Sequence, residues 1–250
     1  MKYAALTAVV LALGTVSGRA NDCLIAKDWA TPGHGFNGAI EKPEPPNVLI
    51  EDIGRGDGLS AIKEDIACGA DVNGRDSYGN TALMTAGGRP DIVKFLIAGG
   101  ADVNTKNNDG KTALMFASEN GVPDSVKLLI AAGADVNAKN NDGKTALMFA
   151  SENGNTGSIK LLIAGRRPDI VKFFIGGGAD VNAKDNSGDT ALMIASSMGH
   201  PDIVKLLIDA GAGRKAKKSN GHVARDISKG MNHSSAAQLL KSNADVWGQK

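Results

Sequence analysis

The side chains that could carry chemistry in this chain are few and scattered. The four histidines, His34, His200, His222 and His233, show no spacing that would bring two onto one metal ion. His200 stands directly before Pro201-Asp202, where it reads as a structural residue at a helix entry. Cys23 and Cys68 have no histidine nearby in an arrangement that would activate a thiolate. Glu119 and Glu152 recur at equivalent positions, 33 residues apart. Equivalent carboxylates on packed helices lie about 8–10 Å apart, too far to share a proton and marginal for an inverting acid–base pair. They read as surface carboxylates. Gly143-Lys144-Thr145 resembles the end of a phosphate loop, but the leading glycine of that pattern is missing and the triplet recurs as a repeat element. Asp109 and Asp142 begin no twelve-residue calcium loop; beside Asn and Gly they serve turns. The basic run Arg214-Lys215-Ala216-Lys217-Lys218 is a solvated loop or an anion site. No catalytic residue, metal ligand or cofactor-binding residue is expected.

The elements that carry these residues are set by internal repetition. Asn107 to Gly121 reads NNDGKTALMFASENG, and Asn140 to Gly154 repeats the same fifteen letters 33 residues later. Looser copies lie at Tyr78 to Met84 and at Ser187 to Met193. Gly-Ala-Asp-Val-Asn begins at Gly69, Gly100, Gly133 and Gly178, and Gly211-Ala212 continues the series. Self-similarity at this period marks stacked helical repeats.

The motif resembles that of the ankyrin repeat family, whose unit runs D-x-x-G-x-T-P-L-H-x-A-A, then a second helix ending in L-L, then G-A-D-V-N. Asp109 to Ser118 and Pro123 to Asn137 follow it. Here Ala replaces the family's Pro and Met its His. The resemblance covers roughly residues 46–244. It implies an all-α solenoid of stacked helix-turn-helix units with short protruding β-turn loops, about six units in number. It also implies partner contact through loop tips and the inner-helix face. By motif position the tips are Arg75, Tyr78, Lys106, Asn108, Asp109, Lys111, Lys139, Asn141, Asp142, Lys144, Lys184 and Asp189, with Glu119 and Glu152 beside them. The residue after Met lies on the inner helix: Thr85, Phe116, Phe149 and Ile194. The two phenylalanines are binding anchors or packing between repeats; the sequence leaves both open.

Taken in order, residues 1–20 read as a signal peptide. Lys2 is the positive start, Tyr3 to Leu13 is an apolar run too short to span a bilayer, and Gly18-Arg19-Ala20 offers a cleavage site. Residues 21–45 carry Trp29, Gly33, Gly35, Pro43 and Pro45 without a period and read as a strap or linker. Export would put the chain where disulfides persist, so Cys23 and Cys68 are either bridged or two unpaired thiols. Val48, Leu49, Ile50 and Ile53 mark the inner helix of the first unit and Leu59 to Ala67 its outer helix. The second unit is two residues short, between Ala86 and Pro90. Near 141–184 the period fails: Thr145 to Thr190 spans 45 residues. Ser158 to Ile163 and Asp169 to Ile175 are two outer-type helices in succession, as if two units had fused with about 21 residues lost. A local bulge or bend and an exposed Arg166-Arg167 are expected there. A cap occupies 219–244 and a tail 245–250.

The formal net charge is +1, and loss of Lys2 and Arg19 with the leader lowers it by two to −1, so bulk charge does not suggest nucleic acid or a membrane surface. Scarce aromatics, 4%, and 32 glycines suit small helices with tight turns rather than one large core. The expected function is non-catalytic binding of an unnamed protein partner by a monomer, in the periplasm or outside the cell. It would involve no cofactor, no nucleic acid and no membrane insertion once the signal is removed. The alternatives are a structural or stress-protective envelope protein, and a ligand sensor or enzyme.

Overall fold

The computed structural model describes residues 48–153 and 178–241. Apart from an isolated antiparallel bridge between Arg75 and Thr81, the described elements are helical. They form two layers. The inner layer holds α1 (Val48–Arg55), α3 (Ala82–Thr85), α5 (Ala113–Asn120), α7 (Ala146–Glu152), α8 (Ala191–Met198) and α10 (Ala224–Gly230). The outer layer holds α2 (Leu59–Ala67), α4 (Pro90–Ala98), α6 (Pro123–Ala131), α9 (Pro201–Asp209) and α11 (Ser234–Leu239). Each inner helix packs on the next inner helix and on its own outer partner where that partner is described. This is the expected all-α solenoid, and the first unit, α1–α2, stacks with the rest although it lacks the Thr-Ala-Leu-Met motif.

Local sequence explains the boundaries. Thr81, Thr112, Thr145 and Thr190 take extended backbone at the N-caps of inner helices. Pro90, Pro123 and Pro201 open the outer helices, where no intrahelical donor is needed, and Asp91, Asp124 and Asp202 complement the positive helix end. The Leu-Met pair of α3, α5, α7 and α8, Leu114-Met115 for example, is fully buried between units and meets the apolar face of the outer helix. Burying one such side chain stabilises by about 1.5–3 kcal/mol before ordering entropy is set against it. One polar group recurs in this core: Ser118, Ser151 and Ser196 are buried, each hydroxyl donating to the carbonyl four residues back at 2.6–2.8 Å. In the short second unit the same position is Gly87. There the inner helix ends after Thr85 and continues as a 3-10 turn, Ala86–Gly88. A side chain on Gly87 would stand 3.1 Å from the Ala117 nitrogen, so the missing residues let this turn lie closer to α5.

The expected bend does not occur in the inner layer. Across the 45-residue spacing α7 packs directly on α8, as α5 packs on α7. The loops confirm the register: Asn186 N–H donates to the Asp142 carbonyl at 2.9 Å, as Asn141 N–H does to Asp109. An added Cβ on Gly143 would meet Asn186 at the same 2.6 and 2.9 Å that one on Gly110 would meet Asn141. The physical reason is that the next described loop and inner helix, Asp185 to Met198, carry the same register residues and dock on the preceding loop and α7 as a regular copy would. The two outer-type helices expected at Ser158–Ile163 and Asp169–Ile175, with Arg166-Arg167, lie outside the described residues. Described outer helices pack in two runs on either side of them, α2–α4–α6 and α9–α11. Cys68, the C-cap of α2, is held in a disulfide.

Candidate functional site

Each loop is built by its own short side chains before it meets its neighbour. In Gly-Ala-Asp-Val-Asn the aspartate accepts from the backbone N–H two residues on: Asp71 from Asn73, Asp102 from Asn104, Asp135 from Asn137, Asp180 from Asn182, all at 2.9 Å. At the tip, Asn107 Oδ1 accepts from the N–H of Asp109 and of Lys111, and Asn140 does the same for Asp142 and Lys144. The glycine between, Gly110 or Gly143, is left-handed. These are turns closed by an asparagine oxygen, which explains the recurrent Asn-Asn-Asp-Gly.

Three rows of hydrogen bonds then join loop to loop. The motif's asparagine reaches in both senses: Asn104 Nδ2 donates to the Gly133 carbonyl and its Oδ1 accepts from Asp135 N–H. Asn137 makes the same pair with Gly178 and Asp180, across the irregular spacing. At the tips, Asn141 Nδ2 donates to the Asn108 carbonyl and Asn186 Nδ2 to that of Asn141, at 3.0 and 2.9 Å. Asn108 Nδ2 donates to Ser77 O. Between these runs a cationic row. Arg75 Nη2 donates to Lys106 O at 2.6 Å, Lys106 Nζ to Lys139 O at 2.8 Å, Lys139 Nζ to Lys184 O at 2.8 Å and Lys184 Nζ to Lys217 O at 3.0 Å. All five cations are exposed, and none forms an ion pair among the described residues.

The second row of lysines, nearer the inner helices, is different. Lys111 pairs with Glu119 at 3.0 Å and lies over the rings of Phe116 and Phe149, 5.4 and 4.8 Å from their centroids. Lys144 pairs with Glu152 at 2.9 Å and lies 5.8 Å from the Phe149 centroid. Lys218 pairs with Asp189 at 2.6 Å. The ammonium groups are neutralised by carboxylates and shield aromatic faces, an arrangement of about 0.5–1 kcal/mol per cation–ring contact at an exposed site. Glu119 and Glu152 are thus each held by their own lysine. A cleft of about 260 Å³ continues this face toward the C-terminal units, lined by Lys144, Glu152, Asp189, Ile194, Lys218 and His222 among others. A larger cavity of about 460 Å³ opens between α10 and α11, away from the loops, and holds none of the residues singled out in the sequence.

Burial settles the role of the inner-helix residues. Phe149 is only 6% exposed and Ile194 only 9%, so they pack between units instead of offering anchors to a partner. Phe116 is half-buried and keeps an open edge. Tyr78 is the reverse: it stands 72% exposed, at the position that Asp109 and Asp142 hold in later units. Asp109 and Asp142 are exposed as well. Lys217, Lys218 and Asn186 belong to these rows; the sequence reading named the two lysines only as part of the basic run 214–218 and did not single out Asn186. The register of Thr190 and Val223 would have given them, since each stands at the same offset as Lys139, Asn140 and Asn141 do from Thr145. The basic run at 214–218 is therefore divided among separate tasks: Arg214 donates to the Lys241 carbonyl, Lys217 ends one row and Lys218 another. His200 is buried at the entry of α9, its carbonyl accepting from Val204 N–H, in the structural role its position suggested. Among the described residues no three His, Cys, Asp or Glu side chains are grouped to hold a metal ion, and no helix is long and apolar enough to cross a membrane.

A family model described as ankyrin repeats (3 copies) matches residues 86–170 and again 164–250. The two matches overlap in the stretch where the period fails. No curated protein matches the chain.

Proposed function

Because the chain belongs to the ankyrin repeat family, whose repeats generally mediate protein–protein interaction, we propose that it is a non-catalytic module that binds one protein partner. It uses the surface made by its loop tips and the inner-helix edge, acting as a monomer. The observation that carries this reading is the unbroken loop ladder. Five consecutive tips stay in register through the 45-residue spacing, with exposed charge and Tyr78 left at the rim. A rigid, extended, partly charged face of this kind has its side chains fixed before a partner arrives, which lowers the ordering cost of binding.

We further propose that the protein works outside the cytoplasm, after removal of residues 1–20. The support is Lys2, the apolar run Tyr3 to Leu13 and Gly18-Arg19-Ala20. A Cys23–Cys68 bridge belongs to the same reading. Its support is the disulfide state of Cys68 and the absence of a third cysteine from the sequence. Intact mass measured with and without reductant tests both: it should give a mass lacking the leader and a shift of about two hydrogens.

The test of binding is capture from the native extracytoplasmic extract by the parent protein and by a Lys111→Gln/Phe116→Ala/Lys144→Gln variant. Phe149 is left intact, because it is buried and its truncation would report stability. A partner held by the parent and lost by the folded variant supports the reading. Capture that is indifferent to all three changes moves the function to another face, or to a structural role without one defined partner.

A further inference from the structure

The two rows of lysines differ in one respect that bears on what the protein binds. Lys111, Lys144 and Lys218 spend their charge on Glu119, Glu152 and Asp189. Among the described residues, Arg75, Lys106, Lys139, Lys184 and Lys217 have no carboxylate within ion-pair distance. The first four of them donate instead to a backbone carbonyl of the next unit, which fixes the position of the cation without neutralising it. An ammonium with one N–H given to a carbonyl keeps two for another acceptor. The result is one uncompensated positive charge per unit on five successive units, four of them held in position by the next unit.

We propose that this row is a docking rail for an extended acidic segment of the partner, with a carboxylate at every third residue. The spacing argues for it. Stacked helices lie about 8–10 Å apart, so the cations recur at about that interval. A polyproline II chain advances about 3.1 Å per residue with three residues per turn, and thus presents the same face every 9.3 Å or so. Its carbonyls and carboxylates are solvated and unpaired, so charge-assisted bonds to the free lysine N–H groups cost it no internal hydrogen bond. The surroundings argue against a dense polyanion. Exposed carboxylates of Asp109, Asp142, Asp102, Asp135 and Asp180 share the same loops. Duplex DNA carries a charge about every 1.7 Å of axis and would meet them, whereas spaced carboxylates pass between. The proposal rests on the protein-binding reading above and names the chemistry of the partner.

The experiment is fluorescence anisotropy with the full chain and three labelled peptides. The first is five tandem Glu-Pro-Pro triplets, one per cation. The second has Gln for Glu. The third has the composition of the first with its glutamates in one block. The first should bind, and should weaken steeply as NaCl rises from about 0.05 to about 0.5 M. The second should bind at least about tenfold more weakly, and the third more weakly than the first. A Lys106→Gln/Lys139→Gln/Lys184→Gln variant should lose about tenfold in affinity for the first peptide, about 0.5 kcal/mol for each exposed pair. The Lys→Arg triple variant, which keeps charge and a donor, should stay within about threefold and guards against a folding artefact. Equal binding of parent and Gln variant, or of spaced and blocked peptides, overturns the rail. So does tighter binding of a single-stranded oligonucleotide that depends on the same lysines. If a natural partner is captured, lost by the Lys111/Phe116/Lys144 variant and untouched by the rail variant, the rail is wrong and the protein-binding reading stands. If neither variant alters capture, both fail.

Discussion

Replacing three glycines by alanine separates backbone strain from close approach, and tests the register across the irregular spacing. Gly133, Gly110 and Gly143 all have positive φ, +88°, +74° and +79°. An alanine in this region costs about 1–2 kcal/mol, offset by about 0.4–1 kcal/mol from the stiffer unfolded chain. For Gly133 nothing lies within 4 Å of the added carbon, so Gly133→Ala should cost only this residue of about 1 kcal/mol. At Gly110 the carbon would stand 2.6 Å from Asn141 Oδ1, 2.9 Å from Asn141 N and 3.1 Å from Asn140 Cα. The next loop must withdraw, and two hydrogen bonds go with it: Asn141 N–H to Asp109 O and Asn141 Nδ2 to Asn108 O. At about 1 kcal/mol each these bring Gly110→Ala to about 3 kcal/mol. Gly143 meets Asn186 at the same distances, so Gly143→Ala should match Gly110→Ala within about 0.5 kcal/mol. In thermal unfolding, at about 2–4 °C per kcal/mol, the midpoint should fall by about 3 °C for Gly133→Ala and about 9 °C for the other two. A Gly143→Ala loss no larger than that of Gly133→Ala would mean that the loops do not close across the 45-residue spacing. Equal losses for all three would refute the close-approach argument altogether.

Other expectations can be checked on the same preparations. Gly87→Ser restores the residue of the regular units but points its Cβ at α5 backbone, 3.1 Å from Ala117 N. It should destabilise by about 1–3 kcal/mol in urea titration, and a gain would contradict the short unit's closer packing. Asn137→Ala removes a bond in each direction, to Gly178 O and from Asp180 N–H, and should cost about 1–2 kcal/mol. Asn104→Ala should cost as much, because its bonds to Gly133 and Asp135 are the same. Lys111→Met keeps the apolar stem over Phe116 and Phe149 but drops the Glu119 pair, so the loss should stay below about 1 kcal/mol and vanish in about 1 M NaCl.

Much of the fold was legible because one unit of sequence is one unit of structure. Thr112, Leu114, Met115 and Gly110 each do one job, and their copies do it again, so the period gave the helices, the caps and the core at once. The site was less legible, for two reasons. Periodicity says which residues share a row but not how a row is neutralised: Lys106 and Lys111 look alike in the sequence, yet Lys106 donates to the Lys139 carbonyl and keeps its charge, whereas Lys111 is paired with Glu119. Nor does a motif position measure burial. Phe116 and Phe149 are copies, but Phe149 lies under two lysines, Lys111 and Lys144, and is 6% exposed, while Phe116 has Lys111 over it and keeps its edge. The inner layer shows no bend, because counting residues along the chain treats the two layers as one; the outer-layer part of that expectation lies outside the described residues. The layers are recognised separately, inner helix by inner helix.

That separation has a consequence for how the gene can change. The identical fifteen-residue copies are what misaligned recombination needs, and exchange in register between them adds or removes 33 residues, one whole unit. A loop and its inner helix leave together, so the remaining loops close ranks at the old pitch. Lineages could then gain or shed units without retuning the surface a partner meets. The length of that surface would be heritable variation, while its spacing stayed constant.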